Sequence, residues 1–175
     1  MRATGATRIV VIGNAGGGKS TLARKLAERR GLEHIEIDRL LWQDGWVLTP
    51  TEIYMRRHRE IIDGDAWIID GLGQQASIPE RIRRATEIIL IDMPLWMHFW
   101  LAAERQIAWA HGELDHAPGG IAQMPPTKGL FKTIWEVDQT WMAEVRALCK
   151  KAETEGKIVT RLTSVDELDA FTGRN

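Results

Sequence analysis

Two hydrophobic periods take turns along this chain. Arg8–Ile12 (Arg-Ile-Val-Val-Ile) is a short β-branched run, and Leu22, Ala23, Leu26 and Ala27 then recur at helical spacing across Thr21–Arg30. Gly31 is placed to cap that helix, and His34–Ile37 forms a second apolar strand ending at Asp38. Thr49-Pro50-Thr51-Glu52 reads as a capping box with proline at the first helical position, opening a helix that runs to about Asp63. Ala66–Ile69 is a third strand ending in Asp70-Gly71. Pro79–Arg84 reads as a short helix, and Glu87–Ile91 is a fourth strand ending in Asp92. Pro94 to about Ala110 is a long, mostly apolar helix, whose richest stretch, Leu95–Ala103, is expected to be buried. His111–Thr127 holds three prolines and three glycines and is expected to be a lid loop. Lys128 to about Glu153 resumes as one helix, Lys157–Arg161 is a fifth strand, and Ser164-Val165-Asp166-Glu167 boxes the start of the last helix.

Strands that alternate with helices throughout call for a parallel sheet covered by helices on both faces, an α/β architecture in a single domain at 175 residues. Ligands in such sheets bind beyond the carboxyl ends of the strands, where Asp38, Asp70 and Asp92 fall. With 44% hydrophobic and 27% charged residues the composition is that of an ordinary globular protein, and a formal net charge of −1 advertises no polyanionic partner. The single cysteine, Cys149, excludes an intrachain disulfide and a cysteine zinc cluster, which fits a reducing cytoplasm, and burial is its expected role. Met1–Thr7 lacks the apolar core of a signal peptide, and the apolar stretch before Glu104 and Arg105 falls far short of the roughly 20 residues of a membrane span. The eight tryptophans read first as packing residues.

Chemistry enters at Gly13-Asn14-Ala15-Gly16-Gly17-Gly18-Lys19-Ser20, which matches the Walker A pattern and lies between a strand and a helix, as that pattern requires. The four glycines let the backbone turn its amides inward on a phosphate at the positive end of the following helix. Lys19 is placed to reach the β and γ oxygens, Ser20 to ligate Mg²⁺, and Thr21 to add an α-phosphate contact. The expected ligands are ATP and Mg²⁺.

Asp70, a carboxylate closing an apolar strand, is the expected second group at Mg²⁺, with Asp92 as runner-up. Asp38 has two open roles, accepting a proton from an acceptor hydroxyl or orienting the acceptor without proton transfer. Phosphoryl transfer needs further cations. Arg56 and Arg59 share a helix face, Arg81 and Arg84 repeat that spacing, and Arg105 interrupts an apolar helix, where a charge has a partner or a task.

On these residues, together with Ile37–Trp46 (Ile-Asp-Arg-Leu-Leu-Trp-Gln-Asp-Gly-Trp), Trp67-Ile68-Ile69-Asp70-Gly71 and Ile89-Leu90-Ile91-Asp92-Met93-Pro94, the chain resembles adenylate kinase-like P-loop proteins, and especially the branch named for DNA topology modulation. The resemblance implies a five-stranded parallel sheet in a three-layer nucleoside monophosphate kinase-like fold, with ATP at Gly13–Thr21. It implies an acceptor region over Asp38–Asp63, a lid after Arg105, Asp70 near the magnesium and acceptor, and Arg81 and Arg105 as phosphate clamps. Taken with the residues' own chemistry, the expected acceptor residues are Asp38, Trp42, Arg56, Arg59 and Arg81, and the expected catalytic set is Lys19, Asp38, Asp70 and Arg105. One departure stands out: His111–Thr127 contains no arginine, where related kinases place one or more. Lys128 and Lys132 are candidate substitutes, without the arginine fork that suits a phosphate face.

The expected activity is therefore Mg²⁺-dependent phosphoryl transfer from ATP to a small nucleotide, nucleoside or comparable metabolite. Its alternative is a P-loop ATPase or regulator acting through a partner, possibly DNA-related. The near-neutral chain lacks a long basic stripe, so DNA binding itself is not carried over. Spacing leaves the oligomeric state open.

Overall fold

A computed structural model describes residues 7–114, 116–117, 121 and 123–174. Its centre is β1 (Thr7–Gly13), whose residues Ile9 to Ile12 are fully buried. Four more strands, β2 (His34–Glu36), β5 (Ala66–Asp70), β6 (Glu87–Ile91) and β7 (Ile158–Leu162), join it in the order β2-β5-β1-β6-β7, all parallel. A parallel sheet buries both faces, which is why its strands read as nearly continuous Val and Ile rather than as alternation. The five expected strands are the five observed.

Helices cover each face with a separate core. On one side α1 (Lys19–Arg30) and α8 (Val165–Arg174) enclose Ile9, Val11, Leu22, Leu26, Ile68 and Ile89. On the other, α3 (Thr51–Ile62), α4 (Ile78–Arg84) and α7 (Met142–Thr154) pack Tyr54, Ile62, Ile82, Val145 and Cys149 against Val10, Ile12, Trp67 and Ile69. Each such large apolar side chain contributes about 1.5–3 kcal/mol. Burial pushes the Cys149 thiol up to about 12, so it stays protonated and acts as core.

Three expectations are corrected. Thr49 does not cap α3, because the helix begins at Thr51 with Pro50 at its cap position and no side-chain cap bond; the Thr49 N–H instead donates to the Leu41 carbonyl at 2.9 Å. The long helix after the lid segment is two helices, α6 (Thr127–Thr140) and α7, separated at Trp141. The helix over the apolar stretch, α5 (Leu95–Ala110), exists as expected but is not buried: among its residues only His98, Ala102 and Gln106 are, and Trp96 and Trp100 face solvent.

Between β2 and α3 the chain builds a feature the sequence did not announce. A short helix α2 (Asp38–Leu41) leads into an antiparallel pair, β3 (Trp42–Gln43) and β4 (Val47–Leu48), turned through Gly45. Of the lid segment His111–Thr127, residues 115, 118–120 and 122 lie outside the described set, and Thr127 begins α6. Among the described residues no helix is long and apolar enough to cross a membrane.

Candidate nucleotide and acceptor site

The loop from Gly13 to Gly18 leaves the central strand and delivers its last residue to the start of α1. Gly16 has φ +79°, and a Cβ there would stand 2.6 Å from the His98 carbonyl oxygen, so α5 packs too close for any side chain. Gly18, also left-handed, is the N-cap of α1, and neither a side-chain cap nor a first-turn carboxylate satisfies that helix end. A helix start left uncapped beside a lysine suits an anion.

Second contacts hold the loop's shape. Asn14 is buried; its side chain donates to the Ile134 carbonyl on α6 at 2.8 Å and accepts from the Ala15 N–H at 2.8 Å. The Asn14 side chain is thus a brace, and the Ala15 amide is already used. His98 from α5 approaches the Ala15 carbonyl oxygen with Nδ1 at 2.9 Å, and Lys19 Nζ donates to the Asn14 carbonyl at 2.6 Å. Ser20 is half-buried and Thr21 exposed in the first turn of α1.

Around Lys19 gather the charges expected from sequence. Lys19 lies below the usual ammonium range because burial disfavours its charge; Asp38 and Asp70 oppose that effect and Arg105 adds to it. Asp38 lies above the usual carboxylate range, again chiefly through burial, with Lys19 and Arg105 pulling down and Asp70 pushing up. Both side chains keep partial access to solvent, as groups serving an outside ligand must. Arg105 is half-buried, and its Nε has no hydrogen-bond partner among the described residues, leaving a donor available beside Asp38. Four residues far apart in sequence, Lys19, Asp38, Asp70 and Arg105, therefore share one electrostatic site at the carboxyl ends of the strands.

Arg81, too, is within electrostatic reach of Asp70 and Asp38. Arg81 is fully buried and donates from Nη2 to the carbonyls of Gly71 at 2.9 Å and Leu72 at 2.8 Å, fixing the turn behind Asp70. Arg56 and Arg59 lie on the exposed side of α3, and Lys132 pairs along α6 with Glu136 at 3.5 Å. Trp42 meets Trp46 edge-on, centroids 5.7 Å apart; Trp46, at φ +60°, donates from Nε1 to the Gln123 carbonyl at 2.9 Å. The tryptophan pair thus ties the β3–β4 hairpin to the segment that precedes α6. Asp92 is engaged by two arginines, Arg146 Nη2 at 2.9 Å and Arg161 Nη2 at 2.7 Å. Burial resists its ionisation, but those two partners outweigh it and hold the carboxyl below its ordinary range.

The sequence does not single out His34 or His98, and it places Asn14 in the loop without its brace to Ile134. His34 Nε2 comes within 3.4 Å of Asp70 Oδ2 from the neighbouring strand, in register with Ile68. No sequence spacing announces a histidine that serves a residue 36 or 83 positions away.

The donor set fits a nucleotide with Mg²⁺. Among the described residues no cluster of three or more acidic, histidine or cysteine side chains could cage a metal alone. Mg²⁺ at phosphates needs no such cage: a hydroxyl and a carboxylate suffice, with phosphate oxygens and water completing the shell. A hydroxyl and a carboxylate of that kind are Ser20, in the first turn of α1, and Asp70, at the end of β5.

A glycine-rich loop between the central parallel strand and α1, with charged residues at the strand ends, defines a P-loop α/β fold of the kinase type. A family model described as AAA domain matches residues 9–108, more than half of the chain, and the chain belongs to that family. Solved structures share the whole fold. Shikimate kinase from Acinetobacter baumannii in complex with shikimate is 14% identical, with a TM-score of 0.56 over 96% of this chain and 89% of that one. A gluconokinase from Sinorhizobium meliloti 1021 is 16% identical, with a TM-score of 0.52 over 97% and 93%. Shikimate kinase from Bacteroides thetaiotaomicron is 15% identical, with a TM-score of 0.51 over 96% and 95%. No curated protein matches the chain.

Proposed function

We propose that this protein is an ATP-dependent, Mg²⁺-requiring phosphotransferase for a small hydroxyl- or phosphate-bearing acceptor, of the nucleotide, nucleoside or comparable metabolite class. The observation that carries the reading is the convergence of Lys19, Asp38, Asp70 and Arg105 at the phosphate loop. Shikimate kinase and gluconokinase, small-molecule kinases by name, support it through shared fold.

In this reading the loop amides and the α1 N-terminus bind the polyphosphate, and Lys19 leaves the Asn14 carbonyl to meet the β and γ oxygens. Ser20 and Asp70 are the residues that would hold Mg²⁺, which when bound would neutralise charge on those oxygens. Asp38, whose carboxyl is shifted toward the protonated form, accepts the proton of an acceptor hydroxyl or orients an acceptor phosphate. Arg105 turns its unpartnered Nε toward the charge that spreads over the transferring group. The acceptor lies between Asp38 and the Trp42–Trp46 hairpin, with Arg56, Arg59 and the lid segment at its margin. The likeness to the DNA topology modulation branch belongs to the same proposal and names no acceptor.

One feature favours a second reading, a slow ATPase that works through a partner: His111–Thr127 contains no arginine to close over the phosphates. A panel of hydroxyl and phosphate acceptors, scored by ADP release, separates the two. Acceptor-dependent turnover supports the kinase, and equal turnover with every acceptor and with none supports the ATPase. Lys19→Ala should slow either activity about a hundredfold or more, as loss of one transition-state donor does. Unchanged turnover in that variant refutes both.

A further inference from the structure

Helix α5 carries an apolar seam on its solvent side. Trp96, Trp100, Ala103, Ile107 and Ala110 follow one another at alternating steps of four and three residues, the spacing by which one helix presents a continuous edge to another. The buried residues His98, Ala102 and Gln106 lie on the inward side, so the seam is not the face packed on the protein. Trp96 is 62% exposed, Trp100 61% and Ile107 61%. On α6, which packs on α5 through Phe99 and Phe131 at 5.4 Å, Trp135 adds another ring at 53%. With roughly 150–250 Å² per tryptophan, three rings each more than half exposed present about 350 Å² of apolar surface, as much as a monomer's largest patch.

We propose that this seam is the centre of a two-fold interface with a second copy of the chain, α5 packing antiparallel on α5. The sequence of the seam is self-complementary in that arrangement and in no parallel one. An antiparallel pairing sets Trp100 against the partner's Ala103, bulky on small, and Trp96 against the partner's Ile107, next to an open groove. A parallel pairing would stack Trp96 on Trp96 and leave the alanine positions hollow. Beside Ile107 lies an open, mostly apolar groove of about 290 Å³, lined by Ala103, Ala110, Met124 and Phe131 with Gln106 and Thr127 at its edge, where the facing Trp96 ring enters. The rings and the groove supply the apolar centre, and the polar flanks of α5 and α6 supply the rim, of an interface near the standard ~800 Å² per partner. Arg105 is on the other side of α5, so the pairing leaves it to the nucleotide site.

Sedimentation velocity of the full chain across a concentration series tests the proposal, and it is independent of any assay of activity. The wild type is expected to sediment as a dimer and Trp100→Glu as a monomer with an unchanged circular dichroism spectrum. If Trp100→Glu does not fold, Ala103→Lys provides the same reading from a smaller side chain. Register is read by cross-linking: Trp96→Cys combined with Ile107→Cys forms a covalent dimer on oxidation. Trp96→Cys alone does not, because its two copies stand about 16 Å apart along the helix axis at 1.5 Å per residue. A wild type that stays monomeric at every concentration, a dimer that survives the seam charges, or equal cross-linking by Trp96→Cys alone overturns the inference.

Discussion

His98 Nδ1 stands 2.9 Å from the carbonyl oxygen of Ala15, and because a carbonyl only accepts, the imidazole must carry its proton on that nitrogen. Burial, with the Lys19 charge behind it, keeps His98 below its ordinary range and therefore neutral. The bond turns the Ala15 carbonyl toward α5, away from the proposed polyphosphate site. His98→Leu leaves that carbonyl without its donor. At about 1 kcal/mol for such a bond, Mg-ATP affinity should weaken about fivefold, and calorimetric titration measures it.

Asp70 is buried between Asp38, Lys19 and His34 and has been given a metal-side role. Asp70→Asn keeps the shape and removes the charge. The variant should need several-fold more Mg²⁺ for half-maximal turnover at saturating ATP. A metal titration curve identical to wild type would remove Asp70 from that role.

His58 offers a stability test away from the site. It is fully buried, stacks on Tyr54 with ring centroids 5.9 Å apart, and neither ring nitrogen has a hydrogen-bond partner among the described residues. Burial, then the charges of Arg81 and Arg59, lower it from 6.5 to about 4. The folded state thus resists a proton that the unfolded chain binds, so stability is intact above about pH 6.5 and falls as pH drops toward 4. Between those limits the loss is about 3 kcal/mol at ~1.4 kcal/mol per pH unit. Urea melts of wild type and His58→Phe should show this acid loss in the wild type and its absence in the variant.

What the sequence made legible follows from the range of each signal. The strands, the phosphate loop and the carboxylates after β2 and β5 are local patterns, and Lys19, Asp38, Asp70 and Arg105 do share one site. The β3–β4 pair escaped because two-residue strands have no measurable period, and Gly45 alone does not announce a hairpin. Leu95–Ala103 misled for a related reason: apolar content says that a helix has something to bury, while only tertiary packing says which face is covered, and Trp96 and Trp100 fell on the open one. Arg81 shows the same limit for charge. Its spacing from Arg84 suggests a phosphate clamp; what spacing does not show is that the guanidinium is buried, with Nη2 on the carbonyls of Gly71 and Leu72 and with Asp70 and Asp38 in electrostatic reach. Long-range partners such as His98 with Ala15 leave no trace in spacing at all.

The central claim is that the group leaving ATP arrives on a second small molecule held near Asp38. The most direct measurement follows a radiolabelled γ-phosphate from Mg-ATP through the acceptor panel. The account predicts label in a new organic phosphate, with that transfer lost in Asp38→Asn while Mg-ATP still binds. Label appearing only as inorganic phosphate, whatever the acceptor, would contradict it.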